Sequence, residues 1–262
     1  MELNLRDKVV VVTGGSKGIG LACALAFGQE GAKVAIISRS AENLAAAVEH
    51  LKTQGVTALA VAADLSHHDR ADGAMRSVEE QLGAIDVLVN CAGDAKRVIP
   101  SELNSQAWHV AMEAKYFPYI HAMDAVLKSM VARGKGSIVN IIGTGGKLAS
   151  VMHLPGGAAN AALMLVSAGL AAAWGGKGIR VNAINPGATH TDRVTMSLNA
   201  QSRLTGRAPD ELLKENEARI PLGRYAEPRE VANTALFLAS DCASYVTGAL
   251  VTMDGALTPL VV

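Results

Sequence analysis

Aromatic residues are scarce. Two tryptophans, four tyrosines and three phenylalanines make up 3 % of the 262 residues. A surface that stacks unpaired bases needs more of them, so single-stranded nucleic acid is not expected as a partner. Net charge is missing too. The 24 basic and 24 acidic residues cancel to a formal zero, so no strong field draws the chain to a nucleic-acid backbone or an anionic membrane. Cysteine is sparse. Cys23, Cys91 and Cys242 lie far apart, with neither a disulfide framework nor a metal-ligand spacing. They are expected to be buried thiols of a reducing cytosol, and no metal is expected. No apolar run is expected to reach transmembrane length. The opening "MELNLRDKVVVVTGG" carries Glu2, Arg6, Asp7 and Lys8 where a signal peptide would have its apolar segment. These absences point to a cytoplasmic location, without a membrane or nucleic-acid partner.

Apolar sequence is abundant, at 50 % of the chain. The length suits one large α/β domain. Runs such as "KVVVVTGG", "KVAIIS", "VTALAVAADLS", "AIDVLVNCAG", "GSIVNIIG", "IRVNAINPG" and "ALVTMDG" alternate with helical sequence. Strands buried on both faces lose the apolar–polar alternation, and parallel neighbours need helical crossovers. The pattern therefore predicts a doubly wound parallel sheet of about seven strands with helices on both faces. One domain over residues 1–262 is expected. The least regular stretch, Thr189 to Tyr225, follows a strand end and holds a charged helical piece, "DELLKENEARI". That is the natural place for a substrate lid.

The stretch "TGGSKGIG", Thr13 to Gly20, lies between the first strand and the first helix. Gly14, Gly18 and Gly20 let the chain turn tightly and approach a pyrophosphate seated on the helix N-terminus, with Ser16, Lys17 and Ile19 completing the loop. This spacing in strand–turn–helix context predicts a dinucleotide site. The second strand ends "IISRS", with no acidic residue to accept the adenosine ribose hydroxyls. Arg39 stands there, and Lys17 is within the loop. Two cations suit a 2′-phosphate, so NADP(H) is favoured over NAD(H).

With "AADLS", "VNCAG", "GSIVNI", "GIRVNAINPGATHT" and "GRYAEPREVANTALFLASDCASYVTGALVTMDG" added to "TGGSKGIG", the sequence resembles the short-chain dehydrogenase/reductase family over essentially its whole length. The resemblance implies a Rossmann-like domain in a homotetramer or homodimer. It implies that Asp64 and Leu65 contact the adenine end of the cofactor and that Asn90, Ala92 and Gly93 line its ribose side. Pro186, Gly187 and Thr191 would hold the nicotinamide half. The family's chemistry rests on a serine after the "IVN" strand, a tyrosine and lysine spaced YxxxK on the next helix, and an asparagine on the preceding helix. Here those positions carry Gly143, Gly156, Asn160 and Lys115.

Lysine and asparagine have thus changed places between two helices. If the two positions face one another, the Lys115 ammonium returns to the same region and stabilises an oxyanion or holds a cofactor ribose. The alternative is an ordinary solvated helix lysine. Nearby substitutes for the missing acid are His153, which titrates near neutrality, and Thr144, beside the vacant serine position. Lys147, Tyr116 and His190 are weaker candidates. Three readings stay open: an oxidoreductase whose proton relay has moved to Lys115, Asn160 and Thr144 or His153; a catalytically silent subunit, alone or in a hetero-oligomer with a tyrosine-bearing paralogue; and a lyase or hydrolase on the same fold. The substrate, a small carbonyl or alcohol on the first reading, is not legible.

Overall fold

Seven largely apolar runs form seven parallel strands in the computed structural model, which describes residues 2–93 and 96–260. They are β1 (Val9–Thr13), β2 (Lys33–Ser38), β3 (Ala58–Ala62), β4 (Val87–Asn90), β5 (Gly136–Ile141), β6 (Ile179–Pro186) and β7 (Leu250–Met253). Their order is β3-β2-β1-β4-β5-β6-β7. The inner strands β1 and β4 are buried at every position, whereas the edge strands β3 and β7 are partly exposed. The single doubly wound sheet expected from the sequence is the sheet observed.

Alternate side chains of each strand feed two cores. Val10, Val12, Val34 and Ile36 pack with α1 (Gly18–Gln29), α2 (Ala41–Thr53) and α9 (Pro228–Ala239). Val9, Val11, Ala35 and Ile37 pack with α3 (His68–Leu82), α5 (Phe117–Arg133) and α6 (Leu154–Trp174). Between these lie α4 (Ser105–Ala111) and, after β6, α7 (Asp192–Thr205) and α8 (Pro209–Ala218). The sheet order reverses between β1 and β4. A crevice opens outside the carboxyl ends of strands at such a switch point, which places the site.

The structure corrects two expectations. Helix α6 and its following turn, Leu154–Lys177, are long and apolar enough by length and composition to cross a membrane. Alanine raises the hydropathy of this segment without adding bulk, and α6 here lies against β6 with Ala159, Leu163 and Met164 buried. The cysteines are not uniformly buried. Cys23 is buried and Cys91 partly so, but Cys242 is exposed on the turn after α9.

Candidate active site

The Gly-rich loop has the close approaches that its glycines suggest. Gly14 adopts φ +66°, and a Cβ there would lie 2.9 Å from the backbone of Cys91 and Ala92. A Cβ on Gly20 would meet the Gly14 carbonyl at 2.2 Å. Lys17 is the N-cap of α1 and makes no side-chain cap bond. The helix N-terminus, with no side-chain cap and the dipole behind it, can therefore serve as a cradle for a pyrophosphate. Thr13 Oγ1 bonds Asn90 and accepts from the N–H groups of Cys91 and Ala92, which locks β1 to the end of β4.

The remaining cofactor candidates gather around the same crevice. Ser16 and Ser38 bond side chain to side chain at 3.1 Å, tying the loop to the end of β2, where Arg39 is exposed. Asp64 is partly buried and Leu65 fully so. Desolvation works to raise the Asp64 pKa, but hydrogen bonds from Ser66 and the Arg39 charge outweigh it and hold the carboxyl below its usual range. Arg39 and Asp64 thus face the same spot. Across the crevice the Thr191 methyl lies 3.2 Å from where a Gly18 Cβ would sit. Arg193 donates to the Gly93 carbonyl at 2.8 Å. Gly187 packs so closely on Asp254 that a Cβ would come within 2.9 Å. Pro186 ends β6 beside it. The close backbone approaches at Gly14 and Gly20 and the uncapped helix start fit a dinucleotide.

Behind the cleft a buried ladder links three elements. Asn90 donates to Asn140 at 3.0 Å, and Asn140 donates to Ser167 of α6 at 2.9 Å. This ladder escaped sequence reasoning. Its signal was three polar residues inside otherwise apolar runs.

The candidate catalytic residues cluster on the β5 side. Lys115 is buried, at 8 % exposure, so the solvated-lysine alternative is set aside. It sits within a π-helical turn, Met112–Tyr116, that joins α4 to α5. Its Nζ donates to Tyr119 Oη at 2.9 Å and to the Ile141 carbonyl at 3.3 Å. Its side chain passes Gly93 so closely that a Cβ there would come within 2.7 Å of Lys115 Cδ. Asn160 is buried on α6, with Oδ1 lacking a hydrogen-bond partner. Its Nδ2 lies 3.4 Å from a Cβ built on Gly143 and 3.5 Å from one on Gly145. His153 is the N-cap residue of α6, and its ring approaches the same Gly145 position at 3.6 Å. Thr144 opens the short turn Thr144–Gly146 and is partly buried.

Two weaker candidates are engaged elsewhere. Lys147 donates to Thr252 on β7. His190 packs on the Tyr225 ring, with its Nε2 3.6 Å from Glu217. Tyr119 is the residue that sequence reasoning missed. Burial raises its phenol well above the usual range. Its signal was the stripe Ala111, Lys115, Tyr119, Ala122 and Val126, one buried face at helical spacing.

A family model described as enoyl-(acyl carrier protein) reductase matches residues 14–258. D-threitol dehydrogenase of Mycolicibacterium smegmatis is 34 % identical over 257 residues, spanning 98 % of this chain and 95 % of the relative. An actinorhodin polyketide ketoreductase solved with NADPH has a TM-score of 0.92 at 32 % identity, with 95 % of this chain and 97 % of that one covered. The L-sorbose reductase of Gluconobacter frateurii, solved with NADPH and L-sorbose, has a TM-score of 0.93 at 30 % identity over 100 % of both chains. Sheet order and crevice define a dinucleotide-binding α/β protein. The chain belongs to the short-chain dehydrogenase/reductase family, whose members are NAD(P)-dependent oxidoreductases.

Proposed function

We propose that this chain is an NADP(H)-dependent oxidoreductase of a carbonyl–alcohol pair whose active site works without the family's tyrosine and serine. The observation that carries the reading is the buried Lys115, lodged between Gly93 and the end of β5. When bound, the nicotinamide supplies or accepts the hydride. The Gly-rich loop, Asp64, Leu65, Ala92, Gly93, Pro186, Gly187 and Thr191 hold the dinucleotide, and the buried Asn90 braces the end of β4 behind them. Arg39 and Lys17, both exposed beside the Ser16–Ser38 contact, receive the 2′-phosphate. The Lys115 ammonium donates to the substrate oxygen and stabilises negative charge as it develops there. Asn160, whose Nδ2 lies near Gly143 and Gly145, orients substrate or ribose. His153, close to Gly145 like Asn160, supplies the proton, and Thr144 hydrogen-bonds the substrate oxygen. Residues 189–225, with α7 and α8, act as the lid. The protein works as a homo-oligomer in a reducing cytoplasm.

The test is fluorescence titration with NADPH and NADH, followed by an NADPH-oxidation screen of carbonyl compounds. Tight NADPH binding, and turnover that falls about a hundredfold in Lys115→Ala, supports the reading, since losing one oxyanion donor costs about 10²–10³ in rate. Unchanged turnover in that variant removes Lys115 from the mechanism. A second reading, a silent subunit partnering a tyrosine-bearing paralogue, draws on Gly143 and Gly156, neither of which has a proton to give. NADPH binding without turnover, together with co-purification of a paralogue from the native source, would put it first.

A further inference from the structure

We infer that Tyr119 is a positioning residue, and that Lys115 on the π-helical turn and Tyr119 on α5 together form an anchored ammonium–phenol pair. Four observations support this. First, Lys115 and Tyr119 are four residues apart on one buried face, and Tyr119 is 0 % exposed, so the phenol cannot reach a substrate. Second, the two side chains converge on one acceptor. Lys115 Nζ donates to Tyr119 Oη, Tyr119 Oη donates to the Ile141 carbonyl, and Nζ donates to that carbonyl as well. Third, Nζ lies 4.5 Å from the Tyr119 ring centroid, so the π face and the hydroxyl hold the same cation. Fourth, the π-helical turn carries Lys115, and such turns re-aim a side chain at the cost of regular helix bonds.

Ile141 ends β5, two residues before Gly143, and Ile142 continues the pairing by bonding the Ile184 carbonyl. The ammonium is therefore tied to the rigid end of a central strand. A lysine has a flexible four-carbon stem with many rotamers. A second, immobile acceptor on its own helix removes that freedom before any ligand arrives. The inference rests on the proposed role of Lys115 for its meaning in catalysis, but its geometry can be tested without a substrate.

The experiment uses full-length protein labelled with ¹⁵N-lysine, with the Lys115 Nζ signal assigned by its loss in Lys115→Met. In the unmodified protein the ammonium should give a sharp cross-peak with slowly exchanging protons, which shifts when NADPH is added. In Tyr119→Phe the ring stays and only the hydroxyl goes. The cross-peak should then broaden, and its exchange should rise by about tenfold or more, as expected for loss of a charge-assisted hydrogen bond. NADPH affinity should stay within about twofold, because Tyr119 is fully buried and cannot itself touch the dinucleotide. An unchanged Lys115 signal in Tyr119→Phe would overturn the inference. A protein that no longer melts cooperatively would also overturn it, making Tyr119 a packing residue. If NADPH leaves the Lys115 signal of the unmodified protein unmoved, the redox role of Lys115 fails, while the anchoring is judged on Tyr119→Phe alone.

Discussion

At Gly143 the backbone has φ 131° and ψ 147°, a region close to one that only glycine occupies at ease. The family's serine therefore cannot simply be put back. A Gly143→Ser variant should lose about 1–3 kcal/mol to backbone strain. That corresponds to a Tm lower by roughly 2–4 °C per kcal/mol for a chain of this size, measured by calorimetry, with no gain in turnover. A variant that melts unchanged would show that this backbone differs from the one described. Arg39→Ala tests the cofactor preference at the same scale. A charged hydrogen bond to phosphate is worth about 1.5–3 kcal/mol, so NADPH affinity should fall by roughly ten- to a hundredfold. NADH affinity should hold, because NADH lacks the 2′-phosphate. Equal losses for both cofactors would move Arg39 from the phosphate to the adenine.

Elements add what single residues cannot. The Asn90–Asn140–Ser167 ladder ties β4, β5 and α6 at the height of the site. Asn140→Ala leaves the Asn90 amide without its acceptor in a dry interior. An orphaned buried donor costs about 1–3 kcal/mol, so a fall of several degrees in Tm is expected by calorimetry. At the start of α9, Arg224 grips Glu230 with two bonds of 2.8 and 2.7 Å, and the Glu227 N–H donates to Glu230 as well. The Arg224 bond, then the Glu227 N–H, hold the Glu230 pKa at about 2. A carboxyl depressed in the folded state stabilises above its unfolded pKa and loses that contribution as pH falls towards 2. Tm should therefore drop more steeply between pH 4.5 and 2 in the native chain than in Glu230→Gln, by differential scanning fluorimetry. Parallel slopes would show that the pair has no thermodynamic weight.

The strands were legible at this scale because apolar residues run almost unbroken through β1, β2 and β4, and only a doubly covered sheet accepts that. Helix α7, "DRVTMSLNAQSRLT", was not, because its polar residues blur the apolar stripe that marks a helix. The cofactor residues were legible because glycine and Arg39 act through backbone and charge. Tyr119 was not, because its importance depends on Lys115 lying on the buried face, which only the packing of α5 against β5 decides.

At the scale of the whole molecule, large apolar side chains remain exposed on the helices that cover the β5 side. Trp108 and Val110 on α4, Phe117 at the start of α5 and Leu165 on α6 are 40 %, 41 %, 39 % and 76 % exposed. Leu165 lies on the face of α6 turned from the sheet, while Ala159, Leu163 and Met164 face inward. A run of alanine and glycine on that outer face allows a second helix to approach closely. If this surface joins two copies of the chain, a charge at its centre must be desolvated twice in a two-fold contact, since each residue meets its own symmetry-related patch. Leu165→Glu should then shift the light-scattering mass of the purified protein down to the monomer at micromolar concentration. The monomer should still bind NADPH, because the crevice lies at the carboxyl ends of β1 and β4, away from α6's outer face. A variant that keeps the native mass would place the subunit contact elsewhere, and one that loses both mass and NADPH binding would show that assembly shapes the crevice itself.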